Sequence, residues 1–284
     1  MGRRHPDWLK VEIGKGKKYS VMKKLLRKAE LNTICEEAKC PNIGECFSRG
    51  TAVFLILGDT CTRNCKYCNV KSGTPNSLNP EEPTKVAESV KTLGLNYVVV
   101  TSVTRDDLKD GGASFFKETV NKIRNKNPRC KIEVLIPDFK GNINDLKTVM
   151  DSKPDVVNHN IEVVKDLFPK VRPQGDYNTS LNLLENIKKI DENIKSKSGL
   201  MIGLGEKKEE IIQTIKDVAR KNVDFLTIGQ YLQPTKKHAP IKKYYTPKEF
   251  EILKDKAKEI GFKHVEADPL VRSSYRADKA IEFI

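Results

Sequence analysis

The sequence predicts an α/β protein built around a parallel β-sheet. Short runs rich in β-branched and aromatic residues recur six times, at positions 53–57, 97–100, 132–136, 156–158, 200–204 and 225–228. Stretches with apolar residues at helical spacing separate these runs, and this alternation is typical of parallel βαβ units. The alternation does not separate an open barrel from a doubly wound sheet. In both architectures, functional residues belong at the C-terminal ends of the strands.

The chain length and composition are consistent with this fold class. The chain has 284 residues, of which 38% are hydrophobic, so it is long enough to bury one large core or two smaller ones. Residues 1–52 predict one helix, at 20–31, and no clear strand. Regular alternation begins after residue 52, and no low-complexity linker interrupts it.

The helices between the strands can be followed from the apolar residues that share one face. Spacing of i, i+4 and i+7 predicts four of them, at Val86, Val90 and Leu93, at Phe116, Val120 and Ile123, at Leu183, Ile187 and Ile190, and at Ile211, Ile215 and Val218. Gly94 is a good C-terminal cap for the first. Residues 143–150 predict a shorter helix. The last helix opens at the capping box Thr246-Pro-Lys-Glu249 and ends before Gly261.

The charge balance is strongly basic, with 52 Lys and Arg residues against 38 Asp and Glu residues and a formal net charge of +14. Such an excess attracts nucleic acid, an anionic membrane surface or an acidic protein. The alternative is a solvated basic surface, because the lysines are spread along the chain. No apolar run approaches the ~20 residues that cross a membrane, and the N-terminus has no signal-peptide pattern. We therefore expect a cytoplasmic protein.

Three closely spaced cysteines follow the first predicted strand: Cys61, Cys65 and Cys68, in the pattern Cys-x3-Cys-x2-Cys. Seven cysteines that cluster rather than scatter indicate metal ligation in preference to disulfides. Iron–sulfur clusters are held by cysteine thiolates, normally four of them, so three ligands leave one iron open to another molecule. A structural zinc site is the alternative, but zinc needs four ligands, usually in paired Cys-x2-Cys units.

A second triad lies upstream, in the pattern Cys35-x4-Cys40-x5-Cys46, and it too lacks a nearby fourth cysteine. Cys130 is the remaining thiol; it precedes a predicted strand and is expected to be an inert buried residue. Each triad is therefore one ligand short. A substrate can complete the first triad, whereas the second needs an oxygen or nitrogen ligand that spacing does not identify.

Polar residues at the predicted strand ends are candidates for ligand binding, with capping of strand and helix termini as the alternative. They are Thr101, Ser102, Asn158, Asn160, Glu162, Gln230 and Tyr231. For Asn160 and Glu162, ligand binding is favoured over capping. His159 is interpreted as a packed core histidine, and the Arg-Asp-Asp stretch at 105–107 as a paired surface cluster. His238 is placed in a loop, where it contacts a partner protein or nothing.

These motifs resemble two nested families. The Cys61–Cys68 loop, with Tyr67 before its last cysteine, resembles the cysteine motif of the radical S-adenosylmethionine superfamily. The upstream triad narrows the resemblance to the lipoyl synthase family, from about residue 20 to the C-terminus. Further segments similar to that family are 36–46, 101–108, 110–112, 158–162, 172–173, 197–206, 227–234 and the Arg-Ser-Ser-Tyr sequence at 272–275.

The resemblance implies a partial (βα)6 TIM-type barrel with extensions at both ends. The N-terminal extension covers residues 1–51, the barrel 52–262 and the C-terminal segment 263–284; the two extensions are expected to hold an auxiliary cluster. Two 4Fe–4S clusters are implied. The radical cluster, which binds S-adenosylmethionine, is held by Cys61, Cys65 and Cys68. The auxiliary cluster is held by Cys35, Cys40, Cys46 and a serine oxygen, which maps to Ser274.

Cofactor contacts are expected from four further residues: Tyr67, Thr101, Asn160 and Glu162. The sequence Glu162-Val-Val departs from the family's usual Glu-Thr-Val, so a threonine hydroxyl is dispensable or replaced there. A labile alkoxide ligand at Ser274 would suit a cluster that has to come apart.

The resemblance also implies an activity: insertion of two sulfur atoms, at C6 and C8, into an octanoyl chain linked to a lysine of a carrier protein. These C–H bonds are unactivated, so a carbon radical has to break them, and the auxiliary cluster supplies the sulfur. Expected partners are an octanoylated lipoyl carrier domain or the glycine-cleavage H protein, and an electron donor such as ferredoxin or flavodoxin. No membrane partner is expected, and a nucleic acid partner is disfavoured.

Two other functions fit parts of the pattern. A sulfur-inserting radical enzyme that acts on tRNA would also account for the basic charge, but we would expect it to carry an added RNA-binding domain. A two-cluster electron carrier would account for both triads. Such a carrier needs closed clusters with four ligands each, however, and the first triad leaves an iron open.

Overall fold

The computed structural model describes residues 5–11, 17–49 and 51–283. The strands within them are β1 (Asn32–Thr33), β2 (Val53–Ile56), β3 (Thr60–Cys61), β4 (Lys71–Ser72), β5 (Tyr97–Ser102), β6 (Lys131–Leu135), β7 (Val156–Asn158), β8 (Lys195–Ile202), β9 (Phe225–Gln230) and β10 (His264–Asp268). Eight of them form one sheet in the order β1-β2-β5-β6-β7-β8-β9-β10, and β3 pairs with β4. All pairings from β2 to β10 are parallel, and β1 runs antiparallel to β2.

The helices fill the connections between these strands. They are α1 (Lys17–Ala29), α2 (Ile34–Glu37), α3 (Ile43–Arg49), α4 (Glu82–Leu93), α5 (Ala113–Lys126), α6 (Ile143–Met150), α7 (Phe168–Val171), α8 (Tyr177–Ile190), α9 (Lys208–Ala219) and α10 (Pro247–Ile260). Short 3-10 segments occur at Asp7–Leu9, Phe139–Gly141, Lys165–Leu167 and Ala277–Phe283. Each of the strands β2, β5, β6, β7, β8 and β9 is followed by a long helix, so the six predicted βα units are present.

The strand order settles which α/β architecture this is. From β2 to β10 each strand pairs with the next barrel strand along the chain, whereas a doubly wound sheet reverses direction at a switch point. The two ends of the order, β1 and β10, are not hydrogen-bonded to each other among the described residues. The sheet is therefore a partial TIM-type barrel. Strands β2 and β9 are buried along their whole length, as expected for parallel strands covered by helices.

The predicted helix ends are confirmed at the three termini that carried a signal. Gly94 ends α4 with φ 63°, in the left-handed region that glycine adopts readily. Thr246 caps α10 by accepting a hydrogen bond from the backbone N–H of Glu249, and the Glu249 carboxylate accepts from the Thr246 backbone N–H in return. Gly261 ends that helix with φ 120°.

The structure corrects the predicted strands in three places. A seventh parallel strand, β10, extends the barrel beyond the six predicted. The two-residue β1 lies in a region where no strand was expected. Strand β8 begins at Lys195, five residues before the predicted start, because two lysines hide its first half from a hydrophobic pattern.

One of those lysines explains how a charge fits inside the barrel. Lys197 is 4% exposed, and its Nζ lies 3.0 Å from both carboxylate oxygens of Glu133, which is fully buried. Tyr97 donates its hydroxyl to the same carboxylate at 2.6 Å, and the Asn158 amide donates at 2.9 Å. The pair is thus neutralised and fully hydrogen-bonded, which a buried charge requires.

The N-terminal extension packs on the barrel through α1 and α3. The predicted helix at 20–31 is confirmed, with bounds Lys17–Ala29. Met22, Leu26 and Phe47 are fully buried in the hydrophobic core that the extension shares with the barrel. No helix among the described residues is long and apolar enough to cross a membrane.

Candidate active site

A cavity of about 530 Å³ lies at the C-terminal ends of the barrel strands. All six cysteines of the two triads line it: Cys35, Cys40, Cys46, Cys61, Cys65 and Cys68. The seventh, Cys130, is 2% exposed and lies outside the cavity wall, so its predicted place in the core is confirmed. Two motifs that are separate in the sequence thus face one space.

The first triad sits on a loop that is clamped at both ends. Leu57 and Gly58, with φ of 68° and 92°, turn the chain out of β2, and the Leu57 N–H donates to the buried Glu82 carboxylate at 2.8 Å. Strands β3 and β4 then pair across the loop, and the Gly73 N–H donates to the Cys61 carbonyl at 3.0 Å. The three thiols are therefore presented by a short closed loop.

Arg63 anchors the middle of this loop. Its side chain is 4% exposed, and it donates to both carboxylate oxygens of Asp106, at 2.7 and 3.0 Å, and to both of Asp138. Burial acts to raise the pKa of Asp138, but the hydrogen bonds and charge of Arg63 outweigh it and hold that pKa at about 2. The Arg63 N–H also points at the Cys61 sulfur, at 3.4 Å. An ion-paired arginine thus fixes the loop from within the cysteine motif.

His238 holds the other end of the loop. Its Nε2 lies 2.9 Å from the Cys68 carbonyl and its Nδ1 2.8 Å from the Thr235 hydroxyl. The next residue, Ala239, donates its N–H to the Lys66 carbonyl at 2.8 Å. The interpretation of His238 as a partner contact or an idle loop residue was wrong, because the side chain braces the cysteine loop.

The second triad is presented by two short helices of the N-terminal extension. Cys35 lies in α2, whose first turn is capped by the Thr33 hydroxyl, and Cys46 lies in α3. Cys40 sits in the turn between them, and its N–H donates to the Cys35 carbonyl at 3.0 Å. The side chain of Asn42 donates to the Leu270 carbonyl at 2.7 Å, which ties this turn to the C-terminal segment.

The C-terminal segment closes the cavity on the side of the second triad. The Tyr275 hydroxyl donates to Glu45 of α3 at 2.8 Å. Strand β9 is close enough that a Cβ on Gly229 would lie 2.0 Å from the Val271 carbonyl oxygen, so only glycine fits there. Ser274 consequently lines the same cavity as the second triad. Its assignment as a ligand stays a prediction.

Burial raises the pKa of several thiols in the two triads. Burial, reinforced by neighbouring sulfurs, raises the pKa of Cys68 to about 12, and burial with Cys40 and Glu45 does the same for Cys46. The pKa of Cys35 is raised further, mainly by burial. Thiolates are the form that binds metal, and metal binding releases the proton. A cationic cluster core is thus the group that would stabilise these thiolates.

An arginine lies beside each triad, where it fits an anionic guest. Arg172, 7% exposed, lies near Cys65 and Glu162, and Arg272 lines the cavity near Cys40. Within the described residues Arg272 has no carboxylate partner; it donates to the Val271 carbonyl at 2.6 Å. Because a cation that is partly removed from water is stabilised by a nearby negative charge, a cluster bearing thiolate charge would fit beside Arg272.

The cofactor candidates divide into two kinds. Glu162 has φ 67°, forms a single bridge to Leu200 and points into the cavity; burial raises its pKa, while Arg172 opposes that shift. Asn160 donates its amide to Glu162 at 3.1 Å and to the Ser273 hydroxyl at 3.2 Å. Thr101, by contrast, already donates its hydroxyl to the Leu135 carbonyl at 2.9 Å.

Tyr67 and three further polar groups complete the wall on the cofactor side. Burial raises the pKa of Tyr67 well above its usual range, so its phenol stays neutral. Among the residues that the structure describes, the buried atoms Ser102 Oγ, His159 Nε2 and Asn160 Oδ1 have no hydrogen-bond partner, and all three residues line the cavity. Because unpaired buried polar atoms are costly, they mark where a polar ligand belongs.

A single metal ion does not fit these residues. Among the described positions no three His, Cys, Asp or Glu side chains converge closely enough to hold one ion. A 4Fe–4S cluster sets a wider spacing, because each thiolate binds a different iron. The fully buried carboxylate Glu133 pairs with Lys197 instead, away from the cavity wall.

Several other polar residues have structural roles. Gln230 donates to the Ile202 and Lys243 carbonyls and accepts from the Tyr245 N–H. His159 is 2% exposed, and burial followed by Arg172 lowers its pKa to about 4, so it is buried and neutral as predicted, but it also lines the cavity. The 105–107 stretch is not a surface cluster: Arg105 is 3% exposed and pairs with Asp107.

Comparison with known proteins agrees with this geometry. A family model for the radical S-adenosylmethionine superfamily matches residues 55–218, more than half of the chain. Among the solved structures with the same fold is methylornithine synthase, with a TM-score of 0.56 and 14% identity, covering 89% of this chain and 83% of that one. Another is an FeFe-hydrogenase maturase, with a TM-score of 0.54 and 14% identity, covering 92% of this chain and 66% of that one. Fold and cysteine loop thus define a radical S-adenosylmethionine protein.

The particular family follows from closer relatives. A model for the N-terminal domain of lipoyl synthase matches residues 2–40. Curated lipoyl synthases from Shouchella clausii and Alkaliphilus metalliredigens are 55% and 52% identical to this chain, covering 98% and 99% of it and 90% and 97% of their own lengths. This chain belongs to the lipoyl synthase family.

Proposed function

We propose that the protein inserts two sulfur atoms, at C6 and C8, into an octanoyl chain bound to a carrier protein, making the lipoyl group. The observation that carries this is that two incomplete cysteine triads line one cavity, with Ser274 in its wall. A radical cluster alone would serve many reactions. A second cluster facing the same space, held by a serine, is a sulfur source within reach of the substrate.

Two clusters and S-adenosylmethionine are the cofactors of this family, and the cavity offers a place for each. When bound, they supply one-electron reduction, hydrogen abstraction and sulfur. The radical cluster is assigned to Cys61, Cys65 and Cys68, and the auxiliary cluster to Cys35, Cys40, Cys46 and Ser274. Glu162 and Asn160 Oδ1 would accept hydrogen bonds from the amino group of S-adenosylmethionine, and the buried Arg172 would balance the charge beside them.

The remaining residues position and enclose these groups. Arg63 and His238 hold the first loop in place, and Tyr67 contributes a neutral ring to the wall. Enclosure excludes water from a reactive carbon radical, and placement is the main contribution a protein makes when cofactors do the chemistry. Thr101 forms part of the cavity wall but does not offer its hydroxyl proton to a ligand, since that hydroxyl already donates to the Leu135 carbonyl.

A three-part organisation serves this activity. Residues 1–51 bring the second triad, residues 52–262 form the radical core, and residues 263–284 bring Ser274 back to the cavity. The last part begins with β10, which is itself a barrel strand. Carrier partners are an octanoylated lipoyl domain or the glycine-cleavage H protein, and ferredoxin or flavodoxin would supply electrons.

Splitting the two activities tests the proposed division between the triads. Cys61→Ala is expected to abolish cleavage of S-adenosylmethionine, because the radical cluster loses a ligand. Cys40→Ala should keep cleavage and stop sulfur insertion into an octanoyl-lysine peptide, read by mass spectrometry. Loss of both activities in both variants would contradict the division. About eight irons per chain without any cofactor cleavage would favour an electron carrier.

The serine ligand has a matched control beside it. Ser274→Ala should lower auxiliary-cluster iron and sulfur insertion, whereas Ser273→Ala removes only a hydroxyl that accepts from Asn160. Ser274→Cys should retain the iron but insert sulfur slowly, because a thiolate leaves less readily than an alkoxide. Iron analysis and Mössbauer spectra measure the cluster independently of turnover. Equal iron in the two alanine variants would rule out Ser274 as a ligand.

A further inference from the structure

The geometry points to a docking surface made of five exposed lysines, of which one lines the cavity and four lie on the segments next to its wall, and this surface is suited to an acidic protein. We call it the basic rim: Lys39, Lys66, Lys170, Lys236 and Lys237. The occupant to which we assign it is the acidic face of the octanoylated carrier domain. This inference rests on the proposed function, because it is the carrier that must come to the mouth.

Two rim lysines lie beside the cluster ligands themselves. Lys39 precedes Cys40, has φ 50° and lines the cavity. Lys66 lies between Cys65 and Tyr67 in the first cysteine loop, with an exposed side chain. Its backbone is held by two hydrogen bonds: its N–H donates to the Val171 carbonyl at 2.7 Å, and its carbonyl accepts from the Ala239 N–H at 2.8 Å. Lys170, also exposed, is the residue next to Val171.

The other two rim lysines belong to the loop that braces the first triad. Residues 232–234 of this loop line the cavity, and the exposed Lys236 and Lys237 follow at once. The Lys237 N–H donates to the Thr235 hydroxyl at 3.3 Å, and the His238 and Ala239 contacts pin the loop to the cysteine loop. The rim is therefore carried by backbone that is already held in place.

The rim charges are available to a partner. Within the part of the chain that the structure describes, no carboxylate oxygen lies within 4 Å of any of the five ammonium groups, whereas lysines such as Lys85 and Lys126 pair with Glu30 and Glu88. Like charges around a cleft focus the potential and raise the encounter rate of an oppositely charged partner by roughly ten- to a thousandfold. The net charge of +14 alone does not locate a site; the position of these five lysines does.

The substrate explains why a protein, and not a small anion, meets this rim. The octanoyl chain is attached to the carrier, so the chain must enter the cavity while the carrier surface stays at the mouth. That surface then faces the basic rim over the whole approach, and complementary charge would set both its orientation and its association rate. RNA is negatively charged, like the acidic face of the carrier, so it is the competing candidate for binding to the basic rim.

Charge reversal at matched sites tests the inference. The triple variant K66E/K236E/K237E is compared with K216E/K248E/K258E, which changes net charge equally on exposed lysines of the outer helices α9 and α10. The association rate is measured by stopped-flow fluorescence with an octanoylated lipoyl domain chosen for net negative charge, at low and high salt. We expect the rim variant to associate about tenfold more slowly at low salt, the control less than twofold, and the difference to vanish at high salt.

Two further arms keep the outcomes separate. The double variant K236E/K237E leaves the cysteine loop untouched and should slow association about threefold, with wild-type iron content. Turnover of an octanoyl-lysine peptide by the wild-type protein tests the proposed function without the rim. Equal slowing in the rim and control variants, or tighter binding of single-stranded RNA that only the rim variant loses, would overturn the docking surface. If the wild-type protein inserted no sulfur into the octanoyl-lysine peptide, the proposed function would be overturned instead.

Discussion

Replacing Arg63 by methionine should unfold the cysteine loop from within. The change keeps the aliphatic stem but removes the cation closest to the carboxylates of Asp106 and Asp138, so that, within the described residues, Asp138 retains only the more distant Arg172, at 3.9 Å. Breaking a buried ion pair by removing one partner costs about 3–5 kcal/mol, a large part of the roughly 5–15 kcal/mol that stabilises a typical domain. Arg220→Met is the control, because Arg220 is 68% exposed and pairs with Asp217 on the surface of α9, where a pair contributes about 0–1 kcal/mol.

The pH dependence gives a second measure of the same pair. Folding lowers the pKa of Asp138 from 3.8 to about 2, so the ionised form is favoured in the folded state. By linkage this contributes about 2 kcal/mol of stability at neutral pH, which is lost as the pH falls from about 4 towards 2. In Arg63→Met, burial is no longer opposed by the guanidinium. The pKa should therefore rise towards or above the unfolded value of 3.8, so the loss of stability between about pH 4 and pH 2 should shrink or disappear.

Denaturant unfolding followed by circular dichroism measures both effects on anaerobically prepared protein, with iron content determined for each variant. The unfolding midpoint of Arg63→Met should fall well below that of Arg220→Met, and iron bound by the first triad should fall with it. Equal midpoints for the two variants at neutral pH would refute the anchoring argument. The same argument would be refuted if Arg63→Met lost stability between about pH 4 and pH 2 to the same extent as the wild-type protein.

Two further perturbations test the frame around the site. Lys197→Met leaves Glu133 buried and unpaired and should destabilise the barrel by about 3–5 kcal/mol, measured by thermal unfolding. Adding Glu133→Leu should restore most of the lost stability. If it does not, the loss does not come from the broken ion pair. Gly229→Ala places a Cβ 2.0 Å from the Val271 carbonyl oxygen and should displace the C-terminal segment, lowering iron from about eight to about four per chain while cleavage of S-adenosylmethionine continues. Unchanged iron in that variant would show that the segment can shift without losing the auxiliary cluster.

The sequence predicts the features that rest on local patterns. Six of the seven parallel strands and all of the long helices between them follow from runs of β-branched residues and from apolar spacing. Both triads are visible because cluster ligands are close neighbours in the chain. Strand β10 was missed because His264, Glu266 and Asp268 interrupt its apolar residues, so it lacks the continuous β-branched run that marks the other six strands.

Pairings between distant residues are what the sequence does not predict. Arg63 meets carboxylates 43 and 75 residues away, and His238 meets the Cys68 carbonyl across 170 residues. A chain with 38 acidic residues offers too many candidate partners for one arginine. The position of Arg63 inside the cysteine motif was the available signal, since a charge in a loop that must be rigid and partly buried needs a partner.

Asn160 joins the two halves of the site and sets how firmly the proposed serine ligand is held. Its amide donates to Glu162 on the cofactor side and to the Ser273 hydroxyl on the auxiliary side. A neutral side-chain hydrogen bond contributes about 0.5–1.5 kcal/mol, far less than would lock a segment in place. The bond therefore locates the serine segment without immobilising it. That balance suits the role proposed for Ser274, since a serine ligand to the auxiliary cluster would have to bind during assembly and be released when sulfur leaves.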